Sequence, residues 1–332
     1  MRTLRSVGDL RAVLEPVRRA ALHRLTDAEA AVGIGNAGAA TTIGLVPTMG
    51  ALHEGHLSLI RRAREQCAVV VVSLFVNPAQ FDERSDLERY PRSEERDAAL
   101  AEQAGADLLF APSIEEVYPV GFATAVEVLG VTDRLEGEVR GAAHFRGVST
   151  VVAKLLCMIA PDCAYFGQKD AQQVVVVRRL VADLNLPVRI EVCPIVREAD
   201  GLAMSSRNAL LSPDERERAL ALGAALAAAA ELAQMGERSA GALLAGAADA
   251  MAPFAVEPEY LAIVEPDTFE AIEELAAPAL LVLAARVGAI RLIDNVLLQP
   301  TVVPAVSAGM RSTGMGDQTT SHLPTGASTC SV

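Results

Sequence analysis

Apolar residues fall along this chain in two rhythms. Near-continuous apolar runs occupy Ile43 to Val46, Val69 to Val76, Leu108 to Ala111 and Val188 to Val196. Between and after them, Leu57 to Cys67, Ser93 to Gln103 and Gln172 to Leu184 carry apolar residues at helical spacing. Unbroken apolar strands separated by helices imply a parallel sheet covered on both faces, since each strand then packs on both sides. The expected fold class is therefore α/β, a Rossmann-like doubly wound parallel sheet with a smaller α+β C-terminal domain. Ligands of such sheets bind beyond the carboxyl ends of the strands.

The texture changes at about Val196. Alanine-rich helical segments follow, then a strand pair at Leu280 to Arg286 and Ile290 to Leu298 around Val287-Gly288-Ala289. Ser212-Pro213-Asp214-Glu215 reads as a helix start, with Ser212 as cap, Pro213 in the first helical position and Glu215 closing a capping box. The expected division is residues 1–195 as the larger domain and residues 196–300 as a smaller C-terminal lid domain. Residues 24–41, rich in Ala and Gly without a period, are expected to be loop. Residues 301–332, rich in Ser, Thr and Gly without an aromatic residue, are expected to be a disordered tail.

Composition removes several classes of function. At 332 residues and 51% hydrophobic content the chain can bury the cores of two domains. A formal net charge of −13 argues against nucleic acid and anionic membrane as partners, because both favour a basic face. Any anionic substrate must then be held by a few local cations. The cysteines, Cys67, Cys157, Cys163, Cys193 and Cys330, are odd in number and form no CxxC pair, so they suggest neither a zinc site nor a disulfide framework. A reducing cytoplasm fits best. The first ten residues lack the apolar core of a signal peptide. The apolar stretch Ala219 to Ala230 is mostly alanine and stops at Glu231, which suits a helix in water and not a membrane span.

Three segments carry candidate chemistry. Pro47-Thr48-Met49-Gly50-Ala51-Leu52-His53-Glu54-Gly55-His56 follows the first apolar run and reads as a strand end, a glycine-bearing turn and the first turn of a helix. Free amides and two imidazoles there suit a nucleotide triphosphate, because a helix N-terminus stabilises negative charge. Tyr165-Phe166-Gly167-Gln168-Lys169-Asp170-Ala171-Gln172-Gln173 runs from an apolar stretch through glycine into a helix, and places Lys169 to meet a phosphate. Val196 to Asn208 contains Met204-Ser205-Ser206-Arg207 on a glycine-bearing loop, where hydroxyls and a guanidinium can donate to phosphate oxygens. The bland alternatives are polar residues on a helix's first turn for the histidines and a solvated loop for Lys169 and Arg207.

Together with Phe75-Val76-Asn77-Pro78-Ala79-Gln80-Phe81 and His144-Phe145-Arg146-Gly147-Val148, these segments resemble pantothenate synthetase, the pantoate–beta-alanine ligase family. The likeness runs from about Thr42 to Asn295. His53-Glu54-Gly55-His56 resembles the HxGH signature of the wider nucleotidyltransferase superfamily, and Met204 to Arg207 resembles its mobile KMSKS-type loop. The resemblance implies ATP-dependent condensation of pantoate with β-alanine through a pantoyl adenylate, with Mg2+, in a cytoplasmic homodimer. It also assigns roles. His56, His53, Lys169, Ser205, Ser206 and Arg207 would be catalytic, His56 as proton donor. ATP would contact Met49, Gly50, Ala51, Leu52, His53, Glu54, Gly55, His56, Gly167, Gln168, Lys169, Asp170, Val196, Met204, Ser205, Ser206 and Arg207. Pantoate would contact Gln80 and Gln173 through their amides, with Pro47, Thr48, Met49 and Asn77 around it. Asp82, Asp86, Glu136 and Asp170 are candidate magnesium contacts, but no compact ligand motif is expected and the metal site stays unassigned.

Two other functions fit parts of the pattern. A nucleotidyltransferase acting on a phosphorylated acceptor would use the histidine signature without needing the Gln80 and Gln173 pair. A silent nucleotide-binding sensor would bind ATP without turnover, although it needs fewer charge-stabilising groups than this chain carries.

Overall fold

Six parallel strands form the larger sheet of the computed structural model, which describes residues 1–30, 42–81, 87–88 and 90–301. They are β1 (Arg2–Leu4), β2 (Ile43–Thr48), β3 (Val69–Leu74), β4 (Leu108–Phe110), β5 (Cys163–Gly167) and β6 (Arg189–Cys193), in the order β1-β4-β3-β2-β5-β6. The helices between them are α1 (Val7–Ala30), α2 (Glu54–Gln66), α3 (Glu94–Gln103), α4 (Ala142–Ile159) and α5 (Ala171–Asp183), with short turns at Ile114–Val117 and Glu136–Arg140.

Alternation along each strand sends neighbouring side chains to opposite faces. Ile43, Leu45, Val71, Leu108, Phe110, Ala164 and Phe166 join the apolar cluster built with α1, α4 and α5. Val46, Val70, Val72, Leu109, Cys163 and Tyr165 join the cluster built with α2 and α3. Both faces are therefore dry, which is why the strands read as continuous apolar runs. Helix α4 is long and apolar enough to cross a membrane by length and composition, and 67% of it is buried inside the fold. Its apolarity is that of a core helix.

The C-terminal part places α6 (Pro213–Gln234) and α7 (Ala240–Met251) against an antiparallel sheet of β7 (Pro258–Val264), β8 (Ala279–Val287) and β9 (Ile290–Leu298). Ser212 caps α6 as its sequence predicts: the hydroxyl accepts from the Glu215 amide at 3.3 Å, and the Ser212 amide donates to the Glu215 carboxylate at 2.9 Å. Strand β8 serves two cores. Leu281, Leu283, Ala285 and Val287 pack on α6 and α7, whereas Leu280 and Val282 join the core of the large sheet. Residues Met1–Thr301 accordingly form one unit.

Several boundaries differ from the sequence reading. Helix α1 runs to Ala30, into the stretch expected to be loop from residue 24, because the run to Ala30 is rich in Leu, Ala and Glu, which favour helix. Residues 31–41 and the expected tail from residue 302 lie outside the described residues. Strand β2 takes in Pro47 and Thr48, opposite Ser73 and Leu74 of β3, while β5 pairs with it only at Gly44 and Leu45. Proline is tolerated there because the β5 ladder has already ended.

Candidate active site

Chain connections leave β2 toward β3 on one side, while β5 lies on the other, so a crevice opens between the carboxyl ends of β2 and β5. The turn after β2, the turn after β5 and the segment from Pro194 to Arg207 enclose a cleft of about 280 Å³ at that point. Pro47, Thr48, Met49, His53, Gly55 and His56 line it from the first turn, and Gly167, Lys169, Asp170 and Gln173 from the second. Asn77 and Gln80 close one side; Val196, Met204, Ser205, Ser206 and Arg207 close another. Of the expected ATP contacts, Gly50, Ala51, Leu52, Glu54 and Gln168 do not line the cleft.

The two imidazoles meet at the start of α2, with ring centroids 4.1 Å apart and planes tilted by 41°. Burial lowers the His53 pKa to about 4, helped by the charge of Lys169, and lowers that of His56 to about 3, helped by His53 and Lys169. Both rings are neutral near pH 7. The His53 amide points at His56 Nδ1, 3.4 Å away, which leaves the His56 proton on Nε2 as a donor. His53 Nδ1 is buried without a hydrogen-bond partner among the described residues, as suits a group that meets a ligand. Gly55 makes room for the pair, since a Cβ there would come within 2.9 Å of His53 Cε1.

Why the rest of the turn turns away is a matter of an internal anion. Asp97 of α3, 1% exposed, accepts from the amides of Ala51 and Leu52 at 2.8 Å each. Two amides expected to meet a ligand's phosphate are thus already bound to a carboxylate. Leu52 is core, and Glu54 pairs with Arg61 on the surface. The Thr48 hydroxyl donates to the Ser73 carbonyl at 2.8 Å and accepts from the Gly50 amide at 3.3 Å, so it holds the turn and keeps one lone pair on the cleft side. Gln168 faces the C-terminal sheet: its carbonyl and that of Lys169 each accept from Asn295 Nδ2 at 3.0 Å. Gly167, by contrast, has open space where a Cβ would stand, and Lys169 beside it is 3.9 Å from Asp170.

Asn77 is 1% exposed and its amide is fully used. Nδ2 donates to Gln80 Oε1 and to the Gly147 carbonyl, both at 3.1 Å, while Oδ1 accepts from Tyr118 and the Ala79 amide. It positions Gln80, whose Nε2 sits 3.0 Å from Met49 Sδ. Helix α4 must approach closely for this to happen. At Gly147 a Cβ would lie 2.1 Å from the Ala79 carbonyl oxygen.

The segment from Val196 to Arg207 folds back on itself. Met204 donates to the Val196 carbonyl at 2.9 Å and Glu198 to that of Leu202 at 2.8 Å, with Gly201 in the left-handed region at φ 90. Arg197 grips Asp294 of β9 with two bonds, at 2.6 and 3.0 Å. Ser205 caps the turn that follows, accepting from the Arg207 amide at 3.2 Å. Burial raises the Tyr90 hydroxyl's pKa, and a hydrogen bond with Ser206 partly offsets this. Tyr90 also lines the cleft.

Sequence reasoning misses Tyr90, Arg140, Tyr260 and Arg291, which line the cleft but sit outside the motifs. It makes Glu136 a candidate magnesium contact, and the surroundings of that carboxylate correct the reading. Burial alone would raise its carboxyl pKa, yet Arg291, with two bonds at 2.6 and 2.9 Å, together with Arg140 and Tyr260, holds it below the ordinary range. All its lone pairs are engaged. Asp82 and Asp86 lie outside the described residues. Among the described residues no group of three His, Cys, Asp or Glu side chains could hold a metal by itself. The half-exposed Asp170 suits a cation that shares phosphate oxygens and keeps waters.

Known proteins resemble this chain over most of its length. The pantoate-beta-alanine ligase family model matches residues 21–297. A pantothenate synthetase of Acidobacterium capsulatum is 50% identical over 302 residues, covering 91% of this chain and 98% of the relative. Among solved structures, the pantothenate synthetase of Thermus thermophilus is 45% identical, with a TM-score of 0.80 over 90% of this chain and 100% of that one. The Francisella tularensis pantoate-beta-alanine ligase, in complex with beta-gamma ATP and beta-alanine, is 30% identical with a TM-score of 0.69, over 90% and 97% of the two chains. With the cleft at the switch point of the sheet and these likenesses along most of its length, the chain belongs to the pantoate-beta-alanine ligase family.

Proposed function

We propose that this pantoate–β-alanine ligase makes pantothenate in two steps within the cleft between β2 and β5, using ATP. In the first, a pantoate carboxylate oxygen bonds to the α-phosphorus of ATP and the bond to the bridging oxygen breaks, releasing pyrophosphate and leaving pantoyl adenylate. In the second, the β-alanine amine bonds to the acyl carbon, loses a proton, and AMP leaves. Carboxylate is already a nucleophile and AMP a good leaving group, so the protein's task is alignment and stabilisation of charge on phosphate oxygens.

His56 donates from Nε2 to the departing phosphates, and His53 completes the pair. Lys169 and Arg207 neutralise the triphosphate, and Ser205 and Ser206 add donors. The first-turn amides of α2 at Glu54 and Gly55 lack intrahelical acceptors and add to the same field. Val196 and Met204 pack against the adenine end, and Gly167 lets the nucleotide approach the backbone. Gln80 and Gln173 hold pantoate, with Pro47 and Met49 against its methyl groups. Magnesium, when bound with ATP, would neutralise phosphate charge beside Asp170.

The observation that carries this reading is that both imidazoles, Lys169, the Ser205–Arg207 turn and the two glutamines line one cleft. The Francisella relative's complex with beta-gamma ATP and beta-alanine supports the same substrates. The paired glutamines favour a small hydroxy acid over a phosphorylated acceptor. We read the segment from residue 196 to 300 as the lid domain. The homodimer is supported by the exposed apolar surface of residues 119–130, where Val120 and Leu129 stand in solvent. Cytoplasmic residence is supported by three buried free thiols at Cys67, Cys163 and Cys193.

Pantoate-dependent exchange of labelled pyrophosphate into ATP, with magnesium and without β-alanine, tests the first step. Exchange that requires pantoate is expected. ATP binding with neither exchange nor turnover on adding β-alanine would overturn the reading.

A further inference from the structure

The turn between β2 and α2 adopts a costly backbone. Gly50 has φ 93 and Ala51 φ 52, two left-handed residues in succession, the second with a Cβ. A conformation of this kind persists only where its surroundings over-determine it. Asp97 does so: its two carboxylate oxygens take one amide each, Ala51 and Leu52, at 2.8 Å. Gly50 gives the turn room on this side, since a Cβ there would stand 2.8 Å from Leu74 Cδ1 and 3.0 Å from Asp97 Oδ2. The turn leads directly into His53 and His56.

We propose that Asp97 is a positioning residue of the ligase reaction: a built-in anion that saturates the turn's amides and thereby fixes the two imidazoles before ATP binds. The proposal rests on the ligase reading for its kinetic consequence. Without the carboxylate, Ala51 would relax toward negative φ and carry the start of α2 with it. With it, a nucleotide phosphate finds those two amides occupied and is directed to the imidazoles and the first turn of α2. Asp97 touches no substrate in this arrangement, because it lies behind the turn and outside the cleft lining.

Asp97→Asn tests this, since an amide offers one oxygen to the two N–H groups and sets its own NH2 against the other. The expected result is a protein that folds and loses roughly ten- to a hundredfold in kcat for pantoate-dependent exchange, with KM for ATP changed far less. Adding Ala51→Gly, which removes the strain the carboxylate holds in check, should restore at least threefold of the loss. Asp97→Glu, which keeps the charge but displaces it by a methylene, is the second variant should the first not fold, and the same kcat loss is expected. Wild-type kcat in a folded Asp97→Asn or Asp97→Glu protein would overturn the proposal, as would a loss that Ala51→Gly does not relieve. A readout independent of the reaction separates the two readings. NMR titration of the imidazoles should show their pKa values moving toward 6.5 in Asp97→Asn, and unchanged values would sink the positioning role even if the wild-type protein showed no exchange.

Discussion

Asn295→Ala should cost both stability and activity, although Asn295 belongs to no recognised motif. The residue stands on β9, 3% exposed, and Nδ2 donates at 3.0 Å to the carbonyls of Gln168 and Lys169. Gln168 Nε2 approaches its Oδ1 at 3.4 Å, a marginal bond that contributes little. Removing the amide leaves two partly buried carbonyls without their donor, at a cost of about 1–3 kcal/mol each where water does not replace it. The cleft side is open to water, so the low end applies and the sum is about 2 kcal/mol. The same carbonyls fix the backbone that carries Lys169. Loss of that register should lower pantoate-dependent pyrophosphate exchange by roughly tenfold, the equivalent of about 1.4 kcal/mol in the transition state. Urea unfolding gives the first number and the exchange assay the second. Asn295→Asp should be worse than Ala, because it turns an acceptor toward both carbonyls. A stability change under about 0.5 kcal/mol with exchange within twofold of wild type would refute the assigned role.

Other consequences can be checked in the same assays. His56→Ala should lower adenylate formation by roughly two orders of magnitude or more with the fold intact, and an unchanged rate would remove His56 from the chemistry. The depressed histidines also give stability a definite pH dependence. From pH 6.5 down to about 4 and about 3 the unfolded chain takes up protons that folded His53 and His56 do not, so stability falls as pH falls through that window and levels off below it. Urea midpoints measured from pH 4 to 7 should lose part of this slope in a His53→Ala, His56→Ala double variant, and an identical slope would contradict the burial of the pair. Gly147→Ala would push a Cβ to 2.1 Å from the Ala79 carbonyl and 2.8 Å from the Gln80 amide, displacing the glutamine. Its KM for pantoate should rise several-fold while that for ATP holds, and equal change in both would point to general damage.

Much of this site is legible in sequence because it depends on local runs. Pro47 to His56, Gly167 to Gln173 and Met204 to Arg207 each sit at a strand end or a loop, and chain topology brings them to one crevice. The misreadings have a common physical source, namely contacts made across long separations. Nothing near Ala51 or Leu52 announces that Asp97, 46 and 45 positions away, occupies their amides. Glu136 looks like an open carboxylate until Arg291, 155 residues on, is placed against it. The extension of α1 to Ala30 enters residues 24–41, whose Ala and Gly content reads as loop although all its glycines follow Ala30.

Strand β8 has a meaning for the modularity of the chain. Its odd-numbered residues from Leu281 belong to the C-terminal core, and Leu280 and Val282 belong to the core of the large sheet. A wall shared in this way cannot be divided at residue 196 without stripping apolar surface from both sides. The change of architecture at that position therefore marks a seam in design, not a point of excision. The two sheets should melt in a single transition, and neither half cut from the other would keep a closed core.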